Sequence, residues 1–203
     1  MTDATRSPER TWPNWFNAGY AEALFTKRLW PLHGKPGLRF LQIGAFSGDA
    51  SAWLLEHILT GQGSTLTDVD TWEGSPLDPG IAGIDFGAVH SYYNSRVAAD
   101  PRVTIYEGTS DAFFDDLHLT RQETAYDFIY VDGAHDSEHV LRDAVNADRY
   151  LRQGGLIAFD DYLWGRHLAD RPEVAIDAFR RCYTRRYQVL EEGLQVWVRK
   201  VAE

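Results

Sequence analysis

The chain has 203 residues, of which 44% are hydrophobic, and this is enough to build the core of one domain. The 20 basic residues are outnumbered by 30 acidic ones, and the net charge of −10 argues against nucleic acid or an anionic membrane as the main partner. The single cysteine, Cys182, excludes an intrachain disulfide and a cysteine-based zinc site. Residues 1–10 lack the apolar stretch of a signal peptide, and no apolar run approaches a membrane span, so we expect a cytoplasmic protein.

The first predicted elements are an aromatic N-terminal segment and the beginning of an alternating pattern. Residues 11–32 are rich in aromatic side chains and predict a short helix that packs on the domain or covers its ligand. We therefore separate an N-terminal segment, residues 1–36, from the domain at 37–203. Residues 38–43 predict a buried strand, and the apolar spacing across 54–59 predicts a helix after it.

The middle of the chain continues the alternation of strands and helices. In chain order it predicts a strand at 64–69, a loop at 72–87, a helix at 89–98, a strand at 103–106 and a helix at 110–118.

The last third of the chain predicts two more alternating pairs and a terminal hairpin. A strand at 128–131 is followed by a helix that ends at residues 153–155, and a strand at 156–159 is followed by a helix that ends near Cys182. The tail then predicts two strands around Gly193.

This order of elements predicts an α/β fold, a Rossmann-like doubly wound sheet whose parallel strands are covered on both faces. In such sheets, ligands bind beyond the carboxyl ends of the strands. Asp70, Asp132, Asp160 and Asp161 each follow the end of a predicted strand. We therefore expect the functional site at this edge.

A G-x-x-x-G motif, Gly44 to Gly48, directly follows the first predicted strand. Glycine lets the backbone turn tightly and approach a ligand closely. The spacing differs from the G-x-G-x-x-G that suits a pyrophosphate. The motif indicates a ligand without a pyrophosphate, such as S-adenosylmethionine, or a tight strand-to-helix turn that binds nothing.

An acid and an aromatic residue follow the second predicted strand. Asp70 lies 26 residues after Gly44, where a carboxylate accepts hydrogen bonds from ribose hydroxyls, and we favour that role over a helix cap or a solvated acid. Trp72 flanks the adenine or fills the core. After the third strand, Ser110 holds the adenine edge, or Thr109 and Ser110 cap a helix.

Three aspartates follow the fourth and fifth predicted strands. If these strands are neighbours, Asp132, Asp160 and Asp161 converge, and three close carboxylates repel one another unless a positive charge lies between them. The three aspartates therefore predict a site for a hard divalent cation with oxygen ligands, and Mg²⁺ is the preferred candidate. The alternative is that Asp132 caps a helix and Asp161 is solvated. His135 begins the next helix and is the candidate general base, with His139 as its competitor.

These motifs together resemble a known family. The stretches FLQIGAFSG, DVDTWEGS and FIYVDGAHDSEHVLRDAVNADRYLRQGGLIAFDDYLWG are similar to class I S-adenosylmethionine-dependent methyltransferases, and within them to the macrocin and mycinamicin sugar O-methyltransferases. The resemblance covers residues 40–164. It implies a seven-stranded sheet with the last strand antiparallel. It implies metal ligation by Asp132, Asp160 and Asp161, and a base role for His135.

The predicted cofactor contacts are Gln42, Gly44, Ala45, Ser51, Asp70, Thr71, Trp72, Ser110 and Asp132. Two features depart from the family pattern. Gln42 stands where many class I enzymes have an acid that contacts the methionine amine, and the chain is short for the macrolide sugar enzymes, so the substrate does not carry over.

The sequence thus predicts an S-adenosylmethionine-dependent O-methyltransferase, with Mg²⁺ as the divalent cation, acting on a hydroxyl of a sugar, glycoside or polyol. The alternatives are a metal-independent methyltransferase, a nicotinamide-dependent oxidoreductase and a non-enzymatic binding module. We expect no nucleic-acid or membrane partner. The sequence leaves a homo-oligomer open.

Overall fold

The computed structural model describes residues 10–18, 20–74, 79–121 and 125–202. Within them lies a seven-stranded sheet of order β3-β2-β1-β4-β5-β7-β6. The strands are β1 Arg39–Ile43, β2 Thr65–Asp70, β3 Val103–Glu107, β4 Tyr126–Val131, β5 Leu151–Phe159, β6 Tyr187–Glu192 and β7 Val196–Lys200. β1 to β5 pair in parallel, whereas β7 runs antiparallel to both β5 and β6. The predicted Rossmann-like fold with an antiparallel last strand is confirmed.

The helices cover both faces of this sheet. They are α1 Trp15–Ala18, α2 Ala21–Leu29, α3 Asp49–His57, α4 Phe86–Tyr93, α5 Ser110–Leu119, α6 Ser137–Tyr150 and α7 Pro172–Cys182. Among the described residues, no helix combines the length and the apolar character that crossing a membrane requires.

The central strands are buried on both faces, as parallel strands under helices must be. Every residue of β4 is buried, and successive residues of β1 contribute to opposite core layers: Phe40 to one and Leu41 to the other. This explains why these strands read as continuous apolar runs in the sequence. The strands are therefore largely apolar along their length, and the acidic residues predicted for the site lie at the carboxyl edge of the sheet.

The N-terminal helices are part of one core layer. Phe25 of α2 is fully buried and lies edge-on to Tyr130 and Trp197, with ring centroids 4.9 and 5.4 Å away. Trp12 and Phe16 are buried in the same layer. The predicted packing of this segment on the domain is therefore observed, while the boundary at residue 36 stays a prediction.

The start of one helix differs from the sequence prediction. The helix predicted at 89–98 begins earlier, at Phe86, because Asp85 caps it by accepting a hydrogen bond from the Ala88 N–H at 3.0 Å, and it passes into a π-helical turn after Tyr93. Part of the loop predicted at 72–87 falls at 75–78, outside the described residues.

The helix predicted to end at residues 153–155 ends at Tyr150, and β5 begins at once. Leu151 pairs with Tyr126, and the register then shifts before Leu156 pairs with Phe128. Gly154 lies in this irregularity with φ of 81°. The glycine pair thus marks a bulge inside the strand instead of a helix stop.

Candidate functional site

The fourth and fifth strands are neighbours, which brings their terminal acids to one place. The Asp160 N–H donates to the Val131 carbonyl at 3.0 Å, and the Asp132 N–H donates to the Ile43 carbonyl at 2.9 Å. The backbone ladder thus continues one residue past β1, β4 and β5. Asp132, Asp160 and Asp161 consequently share the carboxyl edge of the sheet, next to the glycine motif.

His135 lies beside the same acids, in the loop two residues before α6, and not at the start of that helix as the sequence predicted, because Asp136 is the cap and Ser137 the first helical residue. Its Nε2 is 2.8 Å from Oδ2 of Asp161, and its ring packs against Trp164, with centroids 4.6 Å apart. One ligand atom each from Asp132, His135 and Asp161 lie within 4.8 Å of one another, and all three residues are half-buried. This group offers two carboxylates and an imidazole to a common point, a donor set that a divalent cation accepts.

Asp160 is held differently from the other two aspartates. Its Oδ1 accepts from the Tyr20 hydroxyl at 3.0 Å and from the Asp161 N–H at 2.8 Å. Its Oδ2 accepts from the Tyr130 hydroxyl and from the Gln195 amide at 3.1 Å. A carboxylate has about four lone-pair sites, and here four donors fill them. The ligand role predicted for Asp160 stays a prediction.

Burial raises the pKa of Asp132 well above its ordinary value, and the neighbouring carboxylates of Asp160 and Asp161 raise it further. Burial, and then Asp161, also raises the pKa of Asp160. Like charges in a low-dielectric site disfavour each other's ionised form. The site therefore favours a bound positive charge or a proton, and the residues present fit a divalent cation.

The glycine motif packs on the backbone of this acidic group. Gly44 has φ of 87°, and a Cβ on it would lie 1.9 Å from the Asp132 carbonyl oxygen. Gln42 and Ser51 are buried below the motif, where the Ser51 hydroxyl donates to the Gln42 side-chain oxygen at 3.2 Å and the Gln42 amide donates to the Gly44 carbonyl at 3.0 Å. These contacts are internal, and cofactor contacts by Gln42, Ser51 and the buried Ala45 stay predictions.

Asp70 ties the glycine motif to the loop after β2. Its Oδ2 accepts from the Phe46 N–H and its Oδ1 from the Trp72 N–H, both at 2.7 Å. Thr71 lies between them, and its hydroxyl accepts from the Glu73 N–H at 3.2 Å. A hydrogen bond from a ribose hydroxyl to Asp70 would have to use the lone pairs that these two N–H groups leave free. The cofactor contacts of Asp70 and Thr71 stay predictions.

Trp72 fills the core, as one of its two alternatives predicted. It is 5% exposed, its ring stacks on His90 with centroids 4.2 Å apart, and its indole N–H donates to the Phe46 carbonyl at 2.8 Å. The other role, flanking the adenine, would require this stack to open.

The helix-cap alternative holds for Thr109, whose hydroxyl accepts from the Ala112 N–H at 3.2 Å at the start of α5. Ser110 is half-buried beside the carboxyl group of Asp143, to which it hydrogen-bonds. The adenine contact of Ser110 stays a prediction.

Three residues at the site were missed by sequence reasoning: Tyr20, Tyr130 and Gln195. Tyr130 could have been found, because it lies two residues before Asp132 and therefore points to the same side of the sheet edge. Tyr20 and Gln195 carry no local signal, since they reach Asp160 from distant parts of the chain.

The N-terminal segment also covers the glycine motif. The ring of Trp15 lies 5.1 Å from that of Phe46, and the ring of Trp12 lies 6.3 Å from it. Arg10 pairs with Asp49 at the start of α3 at 2.8 Å. The segment thus contacts both the predicted cofactor loop and, through Tyr20, the acidic group.

The family model described as "Methyltransferase domain" matches residues 41–162. No curated protein sequence matches the chain. Among solved structures, the O-methyltransferase from Bacillus cereus in complex with SAH matches with a TM-score of 0.58 and 17% identity, over 80% of this chain and 74% of that one. TomG from Streptomyces achromogenes, in complex with SAM, matches with a TM-score of 0.55 and 15% identity, over 81% and 73%.

MycE of the mycinamycin pathway, in complex with Mg and SAH, matches with a TM-score of 0.63 and 13% identity. The match covers 93% of this chain but 51% of MycE. At these identities the solved structures establish a shared fold.

Proposed function

Because the chain belongs to the methyltransferase domain family, we propose that it transfers a methyl group from S-adenosylmethionine to a hydroxyl of a small molecule, such as a sugar, glycoside or polyol. Membership confirms the resemblance to class I methyltransferases that the motifs indicated. The fold of the solved O-methyltransferases supports an oxygen acceptor.

One observation carries the proposed chemistry: the 2.8 Å contact between His135 and Asp161, within reach of Asp132 and beside the glycine motif. A base near a hydroxyl acceptor is what O-methylation needs, because the acceptor loses a proton as its oxygen is methylated. A carboxylate on the imidazole orients the ring and stabilises its protonated form. His135 is therefore the proposed general base.

The other residues position the two reactants. S-adenosylmethionine, when bound, supplies an electrophilic methyl group on a sulfonium sulfur. The turn at Gly44 and the loop held by Asp70 form the proposed wall of the cofactor pocket, and Trp15 packs against Phe46 of the glycine motif beside it. Holding both reactants in line lowers the entropic part of the barrier.

We further propose that Asp132, Asp160 and Asp161 hold a divalent cation, with Mg²⁺ preferred. Asp160, whose four lone-pair sites are filled by hydrogen bonds, would exchange one of these donors for the cation, and His135 would stay outside the ligand set as the base. A bound cation would lower the pKa of a coordinated hydroxyl and make its proton easier to remove. The raised pKa values of Asp132 and Asp160 support this proposal, since a cation would relieve the repulsion that causes them.

The same His135–Asp161 contact favours a second candidate, a metal-independent methyltransferase. In this version the imidazole and the carboxylate form a histidine-carboxylate dyad that acts as the general base, and no cation is required. Chelation separates the two versions.

The test begins with calorimetric titration of S-adenosylhomocysteine, with and without Mg²⁺, since the proposal requires this product to bind. Turnover of labelled S-adenosylmethionine is then measured over a panel of sugars, glycosides and polyols, before and after EDTA. Loss of activity in EDTA that Mg²⁺ restores supports the cation, and full activity in EDTA supports the metal-independent version. Failure of S-adenosylhomocysteine to bind would refute both.

A matched pair of variants isolates the base. His135→Gln should lower turnover by about 10²- to 10⁴-fold, the usual contribution of a general base. His139→Gln is the control, because His139 lies four residues further along the chain, in the first turn of α6, and pairs with Asp136 at 2.7 Å in an exposed position. Equal activity of the two variants would contradict the role of His135.

The cytoplasmic location, the absence of a nucleic-acid or membrane partner and the homo-oligomer stay predictions. The net charge of −10 supports a neutral or cationic acceptor.

A further inference from the structure

Asp160 is joined to Asp161 by a hydrogen bond that holds the backbone between them in an unusual conformation. Asp161 has φ of 54°, in the left-handed region that residues with a Cβ rarely adopt. Its N–H donates to Oδ1 of Asp160 at 2.8 Å. This bond stabilises the left-handed turn, and the turn directs the Asp161 carboxylate to His135. The orientation of Asp160 therefore determines where Asp161 points.

The orientation of Asp160 depends in turn on a residue of the N-terminal segment. The Tyr20 hydroxyl donates to the same oxygen, Oδ1, at 3.0 Å. Tyr20 directly precedes α2, and α2 is anchored in the core by the fully buried Phe25 and Leu29. The hydroxyl thus reaches the site from a fixed helix and not from a free tail.

We propose that Tyr20 is a positioning residue of the reaction centre, which fixes Asp160 and, through the Asp161 N–H, aligns the Asp161 carboxylate with His135. This inference rests on the proposed function for its significance but not for its test. Residues that orient a catalytic or metal-binding group commonly lie one contact away from it and act through hydrogen bonds. A tyrosine hydroxyl carries a proton at neutral pH, so Tyr20 donates to the carboxylate.

Removing the hydroxyl leaves Asp160 with its bonds from Tyr130, Gln195 and the Asp161 N–H. Tyr20→Phe keeps the ring and is expected to fold. The freed Oδ1 loses one of its two donors, so the carboxylate can rotate and the left-handed turn at Asp161 loosens. The distance between Asp161 and His135 then varies.

Tyr187→Phe is the matched control. The Tyr187 hydroxyl donates to Oδ1 of Asp148 at 2.9 Å, the same pair of groups at a similar distance. Tyr187 belongs to the other core layer, packed against Phe179. A general loss of stability would affect both variants, whereas loss of alignment would affect Tyr20→Phe alone.

The deciding measurement is the ¹⁵N spectrum of the full chain labelled on histidine, at one pH and without metal or cofactor. His135→Gln identifies the His135 signal. We expect Tyr20→Phe to move the Nε2 resonance away from its carboxylate-bonded position, and Tyr187→Phe to leave it in place. Tyr20→Leu, which removes the ring as well, should produce the same shift. An unchanged Nε2 resonance in both Tyr20 variants would overturn the proposal.

A second arm titrates the wild type and Tyr20→Phe with Mn²⁺ alone, followed by electron paramagnetic resonance. Loss of an orienting partner typically weakens metal binding by about 10- to 100-fold, and this is the decrease expected for Tyr20→Phe. If the wild type binds no Mn²⁺, the proposed cation fails, while the histidine spectrum still decides the role of Tyr20.

Discussion

Gly44 offers the sharpest test of how the glycine motif and the acidic group depend on each other. A Cβ at this position would lie 1.9 Å from the Asp132 carbonyl oxygen and 2.9 Å from the Gly133 Cα. Both atoms belong to backbone, so no side chain can swing away. Ordinary contact would require a displacement of about 1.5 Å, toward the normal separation of about 3.5 Å between heavy atoms. Gly44→Ala must therefore move one of two neighbouring strands.

The left-handed backbone and the clash contribute separately to the expected loss. Placing a Cβ at φ of 87° costs about 1–2 kcal/mol by itself, and overpacking adds typically about 1–3 kcal/mol. Gly37 separates the two effects, because it has φ of 69° and nothing within 4 Å of its Cβ position. We expect Gly37→Ala to show only the first loss and Gly44→Ala to show both.

Urea unfolding, followed by tryptophan fluorescence and circular dichroism, measures the free energy of unfolding of both variants. Titration with S-adenosylhomocysteine measures the effect on the pocket, which should be large for Gly44→Ala and absent for Gly37→Ala. If the two variants lose the same stability, the close approach of Gly44 to Asp132 is not what requires glycine, and the reasoning fails.

Two further predictions concern the core. Burial raises the pKa of Asp68 to about 7 from 3.8, so between these pH values the folded state keeps a proton that the unfolded state has lost. Stability should fall as pH rises through this window, by up to about 1.4 kcal/mol per pH unit. Asp68→Asn should remove that part of the slope in urea unfolding at pH 5 and pH 8, and an unchanged slope would count against it. Phe25→Ala should cost about 3–5 kcal/mol in the same assay because Phe25 is fully buried among aromatic rings, and a loss below about 1 kcal/mol would show that the N-terminal helices are only loosely docked.

Much of the fold follows from patterns that the sequence displays locally. Continuous apolar runs such as Phe128–Val131 are typical of strands in a sheet covered on both faces, and regular alternation with helices indicates that the sheet is parallel. Parallel strands end at one edge, so the convergence of Asp132 with Asp160 also followed. The bulge at Gly154 could not be predicted, because a glycine pair after a helix is compatible with both a helix stop and a strand irregularity.

The roles of individual side chains at the site were harder to predict. Trp72 has the same apolar surface whether it stacks on an adenine or on His90, so only the tertiary structure could separate the two alternatives. Asp160 meets Tyr20 from 140 positions away along the chain. Hydrogen bonds between such distant residues leave no periodicity or spacing in the sequence.

The backbone at the site links these observations. Four described residues other than glycine adopt left-handed conformations, and three of them, Phe46, Trp72 and Asp161, lie at the site, with φ of 47°, 49° and 54°; the fourth, Arg121, follows α5. The N–H group of each of the three at the site donates to a carboxylate: the first two to Asp70 and the third to Asp160. Such conformations persist only where the surroundings enforce them.

Asp70 and Asp160 therefore stabilise strained turns whether or not they also bind a ligand. This has a consequence for mutagenesis, because replacing either one by alanine would release a turn and weaken ligand binding even if the carboxylate never touched the ligand. Asparagine is the informative replacement, since its side-chain oxygen can still accept one backbone N–H while the charge is lost. If Asp160→Asn binds Mn²⁺ more weakly while the His135 resonance is unchanged, the negative charge of Asp160 contributes to cation binding. The turn at Asp161 then needs only the hydrogen-bond acceptor that asparagine retains.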